Sequence, residues 1–140
     1  MATMVRILGR LGLAVVLIVA GIGHFTSADA FLAQVPPWMP APEAVVAVSG
    51  VVELLLGLAL LAIPRKWRPA LGWVTAGFFV VIFPGNISQF VTGTSAFGLD
   101  SDAARFVRLL FQPALVVWAL WCTGAWSARS ARRNKRGAIS

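Results

Sequence analysis

Four apolar runs, at 5–25, 43–63, 69–88 and 104–126, dominate the chain, with short polar or proline-rich stretches between them. About 20 apolar residues cross the hydrocarbon of a bilayer, so each run is long enough to span one. The pattern predicts an all-α integral membrane four-helix bundle. The second run, EAVVAVSGVVELLLGLALLAI, carries Glu53 near its centre. A carboxylate at that depth costs roughly 2.5–3.5 kcal/mol on insertion scales. The Val, Leu and Ile residues of the same run return roughly 4–7 kcal/mol, so the helix still inserts. Insertion tolerates Glu53 without explaining it. Ser49, Gly50, Glu53 and Gly57 share one helical face, and small residues let a second helix approach closely in lipid. Glu53 is therefore expected to face other helices, protonated or paired with a donor.

The connecting stretches carry their own signals. Residues 26–42 hold Pro36, Pro37, Pro40 and Pro42, which forbid a continuing helix. They predict a loop folded over the bundle mouth, with a short interfacial helix at 28–34 and Trp38 at headgroup level. Pro42 and Glu43 make a good helix start. The loop Arg65-Lys66-Trp67-Arg68 reverses the chain. Pro84 removes a backbone donor and predicts a kink or helix end there, with Asn86 just beyond. Residues 89–102 read as a polar loop in which Asp100 or Ser101 caps the last span. Pro113 loosens that span between Arg108 and Gln112. A competing reading makes the first run a signal peptide ending near Ala28-Asp29-Ala30; either way the loop that follows crosses the membrane.

Composition agrees with the pattern. Of 140 residues, 59% are hydrophobic and only 12% charged, too few charges for a water-exposed surface. One domain, at 1–126, is expected, followed by a basic tail at 127–140 that reads as disordered. The net charge of +7 does not point to nucleic acid, because the basic residues stand at the ends of apolar runs rather than along one face. Ten of the twelve Lys and Arg residues lie at the N-terminus, in the 65–68 loop and in the tail. All three regions fall on one side of a four-span chain, so both termini are expected in the cytoplasm. Asp29, Glu43, Asp100 and Asp102 fall on the other side. The predicted location is a cell membrane of bacterial plasma-membrane type, with anionic lipid headgroups as partners of the tail. The single cysteine, Cys122, excludes an internal disulfide and reads as a small buried residue.

Depth along the helices gathers the polar residues. His24, Asn86 and Arg108 fall in the outward halves of their spans, with Glu53 and Gln112 deeper. Arg108 reaching inward and Glu53 reaching outward would pair and offset part of the desolvation cost. These five residues, His24, Glu53, Asn86, Arg108 and Gln112, are the candidate ligand-binding set of an outward-opening pocket with the proline loop as lid. The bland reading makes them a polar network that only specifies helix packing. A metal site is not expected, since the region offers too few ligands.

At these residues the chain resembles the DoxX-like family of small four-helix membrane proteins, over roughly residues 10–125. The resemblance rests on G-I-G-H-F at 21–25, V-P-P-W-M-P at 35–40, S-G-V-V-E-L-L-L-G at 49–57, F-P-G-N at 83–86 and R-L-L-F-Q at 108–112. It implies an α-helical bundle and assigns the same five residues as characteristic polar positions. The first functional expectation is a redox-associated membrane component binding a lipophilic small molecule among the helices, with a quinone as the candidate cofactor and a membrane or redox protein as candidate partner. The chain lacks the paired cysteines of a thiol relay. The alternative is a non-catalytic scaffold or assembly factor for another membrane protein. A transporter fits less well, because the chain shows no internal repeat or continuous polar path.

Overall fold

In the computed structural model, residues 1–138 are described, and every regular element among them is helical. The order is α1 (Ala2–Thr26), α2 (Ala28–Leu32), α3 (Pro42–Ala62), a 3-10 turn (Arg65–Trp67), α4 (Arg68–Thr92), α5 (Asp102–Cys122) and α6 (Ala125–Gly137). α1, α3, α4 and α5 are long and apolar enough to cross a membrane. The expected short helix in the proline loop is present as α2. Pro42 occupies the first turn of α3, and Ser101 caps α5 by accepting from the Ala104 amide at 3.1 Å.

Three boundaries differ from expectation. α4 runs through Pro84 to Thr92 and ends only at Gly93, whose φ of +64° suits glycine. Proline inside a membrane helix is tolerated when neighbouring helices supply partners. The carbonyl that Pro84 deprives of its amide is that of Val80; next to it, the Phe79 carbonyl accepts from Gln112 of α5 at 2.7 Å. α5 stops at Cys122, because Gly124 with φ of +73° turns the chain. Residues 125–137 then form α6 instead of a disordered tail. Alanine, arginine and lysine are strong helix formers, and no proline interrupts them.

The four long helices pack as two close pairs, α1 with α3 and α4 with α5. Glycine makes the first pair close. A Cβ at Gly50 would stand 2.7 Å from the His24 Cβ, and one at Gly57 would stand 3.0 Å from the Ala14 carbonyl. The two pairs meet over an apolar core at the cationic end, built from Leu13, Leu17, Leu56, Leu60, Leu71 and Leu120. Arg10 closes that end. It is buried and donates to the carbonyls of Leu60 and Leu61, satisfying the last turn of α3. Trp118 ties α5 to α1 through its indole N–H and the Gly9 carbonyl, at 2.9 Å.

Candidate functional site

Toward the proline loop, polar side chains of both helix pairs surround a cavity of about 680 Å³. Pockets that enclose small molecules have volumes of this order. His24 from α1, Glu53 from α3, Asn86 from α4, and Arg108 and Gln112 from α5 all line it. All five candidate residues are thus brought to one space, with Leu17, Phe79, Leu115 and Trp118 as apolar wall.

Glu53 is 5% exposed, on the face it shares with Gly50 and Gly57. Its charged partner is His24, with Nδ1 to Oε2 at 3.1 Å. This corrects the expected pairing with Arg108. The close approach of α1 and α3 at Gly21 and Gly50 sets His24 beside Glu53, whereas Arg108 forms no ion pair with it. Arg108 donates from Nη2 to Gln34 Oε1 at 3.2 Å. The Nδ1 of His24 also faces the Ala20 carbonyl at 3.0 Å. Both neighbours of Nδ1 are acceptors, so that nitrogen carries the proton. One N–H divided between two acceptors serves neither well, and Glu53 Oε2 is left without a well-directed hydrogen bond.

Asn86 and Gln112 form a second connection. Asn86 Nδ2 donates to Gln112 Oε1 at 2.9 Å, and Gln112 Nε2 passes the chain to the Phe79 carbonyl. This clamp joins α4 to α5 across the interruption at Pro84. Buried hydrogen bonds of this kind hold helices together where no hydrophobic effect operates between them.

The loop side is roofed. Phe31 of α2 stacks on the His24 ring at 3.7 Å, and Phe97 meets Phe31 edge-on at 4.9 Å. The Arg108 guanidinium lies over Phe97 at 5.2 Å. Phe97 holds a left-handed conformation, φ +55°, which costs a residue with a Cβ about 1–2 kcal/mol. Pro36 and Met39 of the proline loop also line the cavity, so this loop forms its cover.

Gln34 carries no signal in spacing or depth, yet it is 8% exposed and touches Arg108. Its place in an irregular loop gave no periodic signal. Two buried donors of the lining residues, Gln34 Nε2 and Arg108 Nε, have no partner, and Glu53 Oε2 has only its ion-pair contact with His24. Such atoms are uncommon, because an unpaired buried donor or acceptor costs about 1–3 kcal/mol. Arg105, one turn from Arg108, faces elsewhere and pairs with Asp102 at 2.7 Å and the Leu99 carbonyl at 3.0 Å. Among the described residues, no three His, Cys, Asp or Glu side chains converge as metal ligands.

Residues 13–123 match the model of a family described as a domain of unknown function, DUF8561. No curated protein matches the chain, and no solved structure does.

Proposed function

The chain belongs to the DUF8561 family, whose description assigns no activity, and on the geometry of the site we propose that it binds a lipophilic small molecule in the cavity between its two helix pairs. One observation carries the reading. Polar side chains from all four long helices converge on one cavity, and two buried donors at its covered end, Arg108 Nε and Nε2 of the loop residue Gln34, lack partners. A ligand with a polar head and an apolar body would complete those bonds while filling the space between Leu17, Phe79 and Trp118. In this reading the molecule is DoxX-like and redox-associated, and a quinone is the first candidate. Its carbonyl oxygens would accept from Arg108 and Gln34.

The same proposal places the protein in a bacterial plasma membrane with both termini in the cytoplasm. The support is charge segregation. Arg6, Arg10, Arg65, Lys66, Arg68 and the five cations of α6 stand at one end, while Asp29, Glu43, Asp100 and Asp102 stand at the other. Positive charge favours the cytoplasmic side. α6 would then lie along the membrane surface and engage anionic headgroups, at about 1 kcal/mol per cation near that surface. Its exposed cationic face also favours a second reading, an assembly factor that holds another membrane or redox protein.

Native mass spectrometry of the protein taken from its own membrane separates the two. Ligand binding predicts a bound small molecule that is lost on Arg108→Gln. The assembly reading predicts a protein partner and no small molecule.

A further inference from the structure

We propose that the ligand is a single-chain amphiphile dissolved in the membrane, with a hydrogen-bond-accepting headgroup, and that it enters sideways between α1 and α5. The proposal rests on the binding reading above and adds the class of ligand and its route.

The route follows from the register of two helices. α1 and α5 run in opposite directions, and they meet where Trp118 donates to the Gly9 carbonyl. A Cβ at Gly12 would stand 3.3 Å from the Trp118 ring. From that contact the same stripe of α1 continues through Val16 to Ala20, and the matching stripe of α5 runs back through Phe111 to Val107. The register is set at Gly9, where a Cβ would stand 3.5 Å from the Cys122 Cβ; seven residues on from Gly9 and seven back from Cys122, about 10 Å along either axis, lie Val16 and Leu115. Val16 therefore stands opposite Leu115, and Ala20 opposite Phe111.

These pairs leave the seam open. Val16, Phe111 and Val107 line the cavity, yet they are 40%, 61% and 52% exposed. A residue that both lines a cavity and faces outward marks its rim. Val16 and Phe111 lie near the middle of their helices, at a depth where only hydrocarbon is outside. The loop side is covered instead, by the ring series from His24 through Phe31 and Phe97 to Arg108. A molecule reaching the cavity by the open seam must already be dissolved in the bilayer.

The headgroup follows from the donors left over. Arg108 Nε and Gln34 Nε2 are buried donors without acceptors, and both residues line the covered end. An oxygen-bearing headgroup would rest there, with its chain running back past Phe111 and Val16 into the seam.

The test uses the full chain in phosphatidylcholine nanodiscs and palmitic acid carrying a mid-chain diazirine. After illumination, labelled positions are mapped by peptide mass spectrometry. Labelling is expected in the peptides holding Val16 to Ala20 and Val107 to Phe111, with competition by plain palmitate. Val16→Trp and Ala20→Trp each narrow the seam and should lower labelling about tenfold. Val80→Trp, on an exposed face away from the cavity, should not. Cavity labelling that ignores Trp at 16 and 20 but falls with Met39→Trp in the covering loop would overturn the lateral route and leave the binding reading standing. Absence of label from every cavity residue would overturn the single-chain amphiphile, while a small molecule lost on Arg108→Gln in native mass spectrometry would leave the binding reading standing.

Discussion

His24 and Glu53 share one proton-bearing nitrogen across the α1–α3 contact. Nδ1 stands 3.1 Å from Oε2 of Glu53 and 3.0 Å from the Ala20 carbonyl, with both side chains almost wholly buried. Removing one member of such a pair strands the other in a low-dielectric interior. His24→Leu should therefore lose about 3–5 kcal/mol of stability. The double variant His24→Leu/Glu53→Leu should regain a large part of that loss, because no charge is then left alone. Unfolding in mixed micelles by increasing SDS measures both. A double variant less stable than His24→Leu would show that the pair is not the main partner of either group.

Close packing of α1 on α3 depends on glycine at particular positions and not on glycine in general. At Gly57 an added Cβ would stand 2.7 Å from Ile18 Cγ1 and 3.0 Å from the Ala14 carbonyl. Gly57→Val should cost about 1–3 kcal/mol by forcing the backbones apart. Gly77 has nothing within 4 Å of the same position. Gly77→Ala should gain about 0.5–1 kcal/mol from helix propensity alone. Thermal unfolding in detergent checks the contrast in sign.

Gln112 both accepts from Asn86 and donates to Phe79. Gln112→Leu would leave the buried Asn86 amide unpaired and remove the second bond to the Phe79 carbonyl, at about 1–3 kcal/mol for the group left unsatisfied. The loss should appear as weaker pairing of α4 with α5, seen as faster amide exchange around Pro84 by hydrogen–deuterium exchange mass spectrometry. Exchange should stay unchanged in α3, which the clamp does not touch.

Charge segregation predicts that reporters fused to the two ends behave alike. A fluorescent protein that matures only in the cytoplasm should be bright at either terminus, and a phosphatase active only outside should be silent at both. A bright phosphatase signal at the C-terminus would reverse the orientation.

Much of this architecture is legible in the chain because hydrocarbon imposes length and polarity so strictly. The four spans, the Ser101 cap and the inward face of Gly50, Glu53 and Gly57 all follow from spacing. Convergence of the five polar residues follows from depth. The partner of Glu53 does not, since depth ignores which helix is the near neighbour. A signal for it existed: Gly21 on the first span can mesh with Gly50 on the second, which sets His24 beside Glu53. The continuation of α4 past Pro84 does not follow either, since proline in a membrane helix either bends or ends it according to the packing around it. Gln34 and Phe97 lie in irregular segments, where no period announces which side chain turns inward. Arg10 reads as an orientation charge but also closes the end of α3, a role that only the packed neighbour reveals.

The central claim is that the buried polar cluster serves a ligand and not packing alone. Arg108 discriminates best, because its own hydrogen bond is a single one to the loop residue Gln34 and the helices are clamped elsewhere. Arg108→Gln, purified from the native membrane beside the unaltered protein, is therefore measured for bound small molecule and for unfolding together. The account predicts that the bound molecule disappears while stability stays within about 1 kcal/mol, the range of a typical hydrogen bond. Loss of stability with no change in bound molecule, or no bound molecule in either protein, would contradict it.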